Sequence, residues 1–132
     1  PGGRVFVMTW GEPQGMEAAA LVAALKPLLP PPPPGAAGPF ALSEKGKLEE
    51  LAGKAGLSAL EVFDVDTPWS YPDLATAKRG LGSSGVAAKA AEIKGEAAVD
   101  AAHEAALAQF RQPDDSYRVG ATFRILMAEV AA

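Results

Sequence analysis

The sequence predicts an α/β fold of three strands with flanking helices and a helical insertion, and three stretches carry that prediction. Pro1-Gly2-Gly3-Arg4 turns directly into the unbroken apolar run Val5 to Met8, the pattern of a strand covered on both faces. Such a strand is expected inside a sheet, not at its outer edge, and its neighbours must come from later residues or from another molecule. Leu57 to Asp66 alternates apolar and polar residues, as a half-exposed strand does, and Phe123 to Val130 closes the chain as a third strand beginning at Thr122.

Between these strands the spacing is helical. After the loop Gly11 to Gly15, Met16 to Leu29 carries Leu21, Val22, Leu25, Leu28 and Leu29 near helical intervals, and Pro27 ends or kinks that helix. Residues 30–39 form a Pro/Gly-rich surface connection, stiff over Pro30 to Pro34 and flexible beyond Gly35. Ser43 is the expected N-cap of a helix through Ala55, with Leu48, Leu51, Ala52 and Ala55 on its inner face and Gly56 as its stop. In the second strand, Leu60, Val62 and either Phe63 or Val65 compete for the inner face, so its register stays open.

Residues 73–111 read as the helical insertion. Thr67 to Pro72 is expected as an aromatic loop, Asp73 as the cap of a short helix to Arg79, and Ser83 or Ser84 as the cap of the next. Val86 to Arg111 is helical with a division at Gly95, burying Val86, Ala90, Ile93, Val99, Ala102, Ala106 and Phe110. Pro113 to Ser116 is a turn.

Composition bounds function. The 132 residues, read as one domain spanning 1–132, are 48% apolar and 21% charged with a net charge of −4, a globular composition without a basic field for nucleic acid. No apolar run approaches the roughly 20 residues of a membrane span, and the expected location is cytoplasmic. With no cysteine and a single histidine, a disulfide framework, thiol catalysis and an ordinary zinc site are excluded. The chain begins at Pro1, not Met, and is expected to be either processed or part of something longer.

The order of elements and their local wording resemble the C-terminal half of a class I S-adenosylmethionine-dependent methyltransferase of the small-molecule type. The residues that carry the resemblance are Pro1-Gly2-Gly3-Arg4, Trp10-Gly11, Phe40-Ala41-Leu42-Ser43 before Leu48-Glu49-Glu50-Leu51, Ala55-Gly56-Leu57, Pro72-Asp73-Leu74, Arg118 and the last strand. It implies a partial Rossmann-like sheet made of the family's fifth, sixth and seventh strands, the seventh antiparallel and central. It implies adenosylmethionine as cofactor of the parent family and methyl transfer to a small molecule. The family's donor site, a glycine-rich turn after its first strand and an acidic residue ending its second, has no counterpart before Pro1. This chain is therefore expected to contribute the substrate side, to bind no cofactor and to be inactive alone. The alternative is a free-standing α/β protein that self-associates as a homodimer; the expected partner at the Arg4–Trp10 strand edge is thus either a second copy or the family's missing N-terminal half.

Trp10, Gly11 and Glu12, just past the carboxyl end of a strand presumed parallel, are the first substrate-pocket candidates, because open α/β sheets place ligands there. Phe40, Trp69 and Tyr71 are the others, aromatic area suited to a flat or apolar substrate. Gly80-Leu81-Gly82-Ser83-Ser84-Gly85 matches G-x-G-x-x-G, with Asp100 downstream, but it follows a helix and is read as a helix-breaking turn. His103 is expected as a solvated helix residue, Asp64 and Asp66 as a solvent face, and Pro30 to Pro34 as a spacer, not a ligand for aromatic grooves. No catalytic residue and no metal ligand is assigned.

Overall fold

A computed structural model describes residues 1–130. In chain order the elements are β1 (Arg4–Trp10), α1 (Ala18–Ala24), α2 (Lys47–Lys54), β2 (Leu57–Asp66), β3 (Trp69–Tyr71), α3 (Leu74–Gly82), α4 (Gly85–Lys94), α5 (Glu96–Leu107), β4 (Tyr117–Val119) and β5 (Thr122–Val130). They divide into two units. A sheet unit holds Pro1–Met16, Gly35–Thr67 and the segment from Ala121, and a helical unit holds Glu17–Pro34 and Pro68–Gly120.

In the sheet unit the strand order is β1-β5-β2, with β5 antiparallel to both neighbours. Strand β1 and β2 therefore run parallel to each other, two places apart, and the last strand is central. Helix α2 covers one face: Leu48 and Ala52 pack on Leu126 and Ala128, with Val7, Leu42, Leu57 and Val62 around them. The open register of β2 is settled by a β-bulge between Ala59 and Glu61. One extra residue reverses the alternation, so Leu57 and Val62, five positions apart, reach the same face while Leu60 stands at the bulge and stays exposed.

The reading of β1 as an internal strand covered on both faces is corrected. Among the described residues it is an edge strand, paired only to β5, and Phe6 and Met8 are 62% and 66% exposed. Among the described residues of its unit only α2 packs on this sheet, so the alternate residues Val5 and Val7 are half-buried and those between them are open. The N-cap at Ser43 is corrected too. Its hydroxyl donates to the Trp10 carbonyl at 2.7 Å, so it ties a loop to β1, and α2 starts after Gly46, whose φ of +86° suits glycine. Leu51, expected inside, is exposed.

The helical unit agrees with the sequence at its caps and differs in its stripes. Asp73 accepts from the Thr76 amide at 2.7 Å, Ser84 accepts from the Ala87 amide at 3.2 Å, and Gly95 separates α4 from α5 at φ +87°. The first helix is shorter than expected, Ala18–Ala24 followed by a 3₁₀ turn at Lys26–Leu28 that takes in Pro27. In α4 the buried residues are Ala87 and Ala90, packed with Leu25 and Val99, whereas Val86 and Ile93 are exposed. Small side chains let helices approach closely, and the larger residues of α4 are left outside. The 67–72 segment is not a loop throughout: Trp69–Tyr71 pairs antiparallel with Tyr117–Val119. His103 is corrected from solvated to buried, 2% exposed, because it shares the stripe Val99, His103, Leu107 at four-residue spacing on α5.

Candidate functional site

The candidate residues of the sheet unit gather where β1 ends. Trp10 stacks on Phe123 with ring centroids 4.9 Å apart, and Phe40 stands tilted at 6.0 Å from Trp10. Gly11 is buried and donates its N–H to the Thr122 carbonyl at 2.7 Å; a Cβ there would meet that oxygen and the Thr122 methyl at 2.9 Å. Glycine is required at this position because two backbones touch.

Sequence reading passed over the residue that organises this end of the sheet, Arg124. Its Nε and Nη2 donate to Asp64 Oδ1 and Oδ2 at 2.8 and 3.0 Å, and Nη1 donates to the Ser43 carbonyl and to Glu12 Oε1, the latter at 3.4 Å. A planar guanidinium matches a carboxylate with two parallel bonds and still reaches a third and fourth acceptor, which an ammonium cannot. The hydrogen bonds from Arg124 hold the Asp64 carboxyl below the usual carboxylate range, and Asp64 in turn raises the guanidinium further. Asp64 and Asp66 are thus not a bare solvent pair: Asp66 accepts from the Thr122 hydroxyl at 2.9 Å. A cleft of about 270 Å³ opens beside this cluster, lined by Glu12, Lys45, Gly46, Glu49, Asp64 and Arg124 with Val62 and Phe63. Four acceptors already occupy Arg124, so it positions the walls of the cleft. Lys45, Glu12 and Glu49 supply the charge that a ligand would meet.

Trp69 and Tyr71 lie in the helical unit, on the same face of β3 two residues apart. The Tyr71 ring packs on Gly80, 3.3 Å from where a Cβ would stand, and burial pushes its hydroxyl pKa up. Tyr71, Pro72, Gln112, Pro113, Tyr117 and Arg118 border an open depression of about 600 Å³. The G-x-G-x-x-G residues run through the last turn of α3 and the start of α4, and no strand delivers them, so they form no phosphate cradle. Asp100 and Glu104 instead flank Lys78 of α3 at 3.4 and 3.3 Å.

His103 Nδ1 is buried without a partner. Desolvation lowers its pKa, opposed by the nearby Asp100 carboxylate. Among the described residues no group of three His, Asp or Glu is gathered to hold a metal ion, and no helix is long and apolar enough to cross a membrane. No protein-family model matches the chain, and no curated protein matches it.

Proposed function

We propose that this chain is the acceptor-side part of a class I methyltransferase acting on a small molecule in the cytoplasm. The observation that supports the reading is the sheet order β1-β5-β2, two parallel strands joined through a helix with the final strand inserted antiparallel between them. That is the arrangement the resemblance implies for the family's last three strands. Trp10, Gly11 and Glu12 follow the carboxyl end of β1, the side on which open α/β sheets bind ligands.

The residues present do not build a donor site. The glycine motif lies between two helices, and Asp64 at the end of β2 is held by Arg124. The part left to this chain is to orient an acceptor: Trp10 and Phe40 offer aromatic walls, and Glu12 an anionic rim in the sheet unit. Trp69 and Tyr71 offer a second aromatic surface in the helical unit. With no partnered base at hand, rate enhancement rests on proximity and alignment.

Two measurements test the reading. Calorimetric titration of adenosylmethionine into the chain is expected to give no binding, and micromolar affinity would overturn the assignment to the acceptor side. The coding DNA upstream of Pro1 is expected to encode, in frame, an apolar strand followed by a glycine-rich turn; a frame without that pair removes the methyltransferase assignment.

A further inference from the structure

The sheet has two outer edges, and they differ. Strand β2 carries a bulge at Leu60 and the acids Glu61, Asp64 and Asp66, the devices that keep an edge from pairing with another chain. Strand β1 has none of them. It is seven residues of regular ladder with no bulge, no proline and no acid, and Arg4 as its one charge.

The hydrogen bonds fix which groups of β1 face outward. Gly11 N–H donates to the directly opposite Thr122 carbonyl, and Val130 N–H donates to the directly opposite Gly3 carbonyl. In an antiparallel ladder such pairs alternate, so the odd residues bond to β5 and the even ones turn N–H and C=O to the free side. Those even residues are Arg4, Phe6, Met8 and Trp10. The Trp10 carbonyl is taken by the Ser43 hydroxyl, which closes the edge at that end. The outward backbone groups of Arg4, Phe6 and Met8 meet no partner among the described residues.

We propose that the free edge of β1 pairs antiparallel with β1 of a second copy of this chain, about a two-fold axis at Phe6. The interface is isologous, and centring it on Phe6 uses every open backbone group. Phe6 then opposes Phe6 of the partner copy, Arg4 opposes Met8, and on the other face Val5 opposes Val7, apolar cross-strand pairs of the kind that stabilise sheets. Charge decides between the edges: copies with a net charge of −4 repel through the acidic β2 edge, and the β1 edge brings no acid into contact. Two short strands and the apolar side chains beside them fall below the roughly 800 Å² per partner of a standard interface, so the dimer is expected to be concentration-dependent. This inference does not rest on the methyltransferase reading and is its alternative at this edge: a strand encoded upstream of Pro1 would take the same backbone groups, so the dimer is argued for the 132-residue chain, and adenosylmethionine enters neither the argument nor the test.

The absence of cysteine makes the test direct, since a disulfide in a single-cysteine variant can only join two copies. In the proposed register Phe6→Cys places two Cα atoms about 5.5 Å apart, inside disulfide range, whereas Met8→Cys places them about 14 Å apart, four residues along the strands at 3.4 Å each. Mild oxidation is expected to crosslink Phe6→Cys and to leave Met8→Cys monomeric, although both sites are similarly exposed. Sedimentation equilibrium of the unmodified chain is expected to move from 13.5 kDa towards twice that mass as concentration rises to about 100 µM. Phe6→Lys, with its melting curve checked by circular dichroism, is expected to stay monomeric and folded. Equal crosslinking of the two cysteine variants, crosslinking of neither, or a monomer mass at 100 µM for the unmodified chain overturns the proposal.

Discussion

Arg124 shows what one side chain can decide and why a sequence conceals it. Nothing in Thr122-Phe123-Arg124-Ile125 marks this arginine. Its value comes from Asp64, sixty positions away, and from the Ser43 carbonyl and Glu12, which only the strand pairing brings together. Arg124→Lys keeps the charge and loses the two-bonded fit, so it is expected to cost about 1–2 kcal/mol, read as a lower urea midpoint with an unchanged slope. The same contact has a pH signature. The folded Asp64 pKa is depressed, so its contribution is complete above the unfolded value near 4 and is lost as pH falls through the folded one. Arg124→Lys should flatten that acid limb. His103 acts in the opposite region. Its folded pKa is lowered, so the unfolded chain takes up the proton first, and stability is greatest above about 6.5 and falls as pH drops below it. His103→Leu removes both the titration and the unpartnered Nδ1. Urea midpoints at pH 7 and pH 5 should differ less in that variant than in the native chain.

At the scale of elements, legibility followed the length of the repeating signal. Strand β2 was bounded at Leu57 and Asp66 from alternation alone, β5 from its run of apolar residues, and the helical caps, Asp73 and one of Ser83 or Ser84, from their side-chain chemistry, with the structure choosing Ser84. Strand β3 and β4 were missed because three residues cannot display a period. Ser43 misled because a hydroxyl suited to capping a helix is equally suited to a neighbouring strand's carbonyl, and tertiary pairing won. The candidate residues were legible in part: Trp10, Gly11 and Glu12 were picked from the strand end and Phe40 for its aromatic ring, but Phe123, Asp64 and Arg124 join them only once β5 is known to be central. Two substitutions test the packing at this scale. Leu48→Ala should cost about 2–4 kcal/mol, since its side chain fills the contact of α2 with Leu126 and Ala128. Gly11→Ala forces β1 away from the Thr122 carbonyl and should lower the melting temperature by several degrees, equivalent to about 2 kcal/mol.

For the whole molecule the ordering of segments matters more than any single contact. Among the described residues β1 and β2 have no sheet neighbour other than β5, which follows every other described strand in sequence. The sheet therefore rests on pairings such as Arg4 with Glu129, among the most distant in sequence that the chain can make. Folding dominated by distant pairings is slow. A chain stopped after Gly120 should lack the three-stranded sheet, with circular dichroism losing most of its strand signal and keeping only that of the short β3–β4 pair. During synthesis, the apolar side chains of β1 emerge from the ribosome more than a hundred residues before β5, their strand partner among the described residues. A nascent polypeptide of this kind exposes apolar strand surface until β5 is made, and its yield in cells should depend on holdase chaperones more than its final stability would indicate.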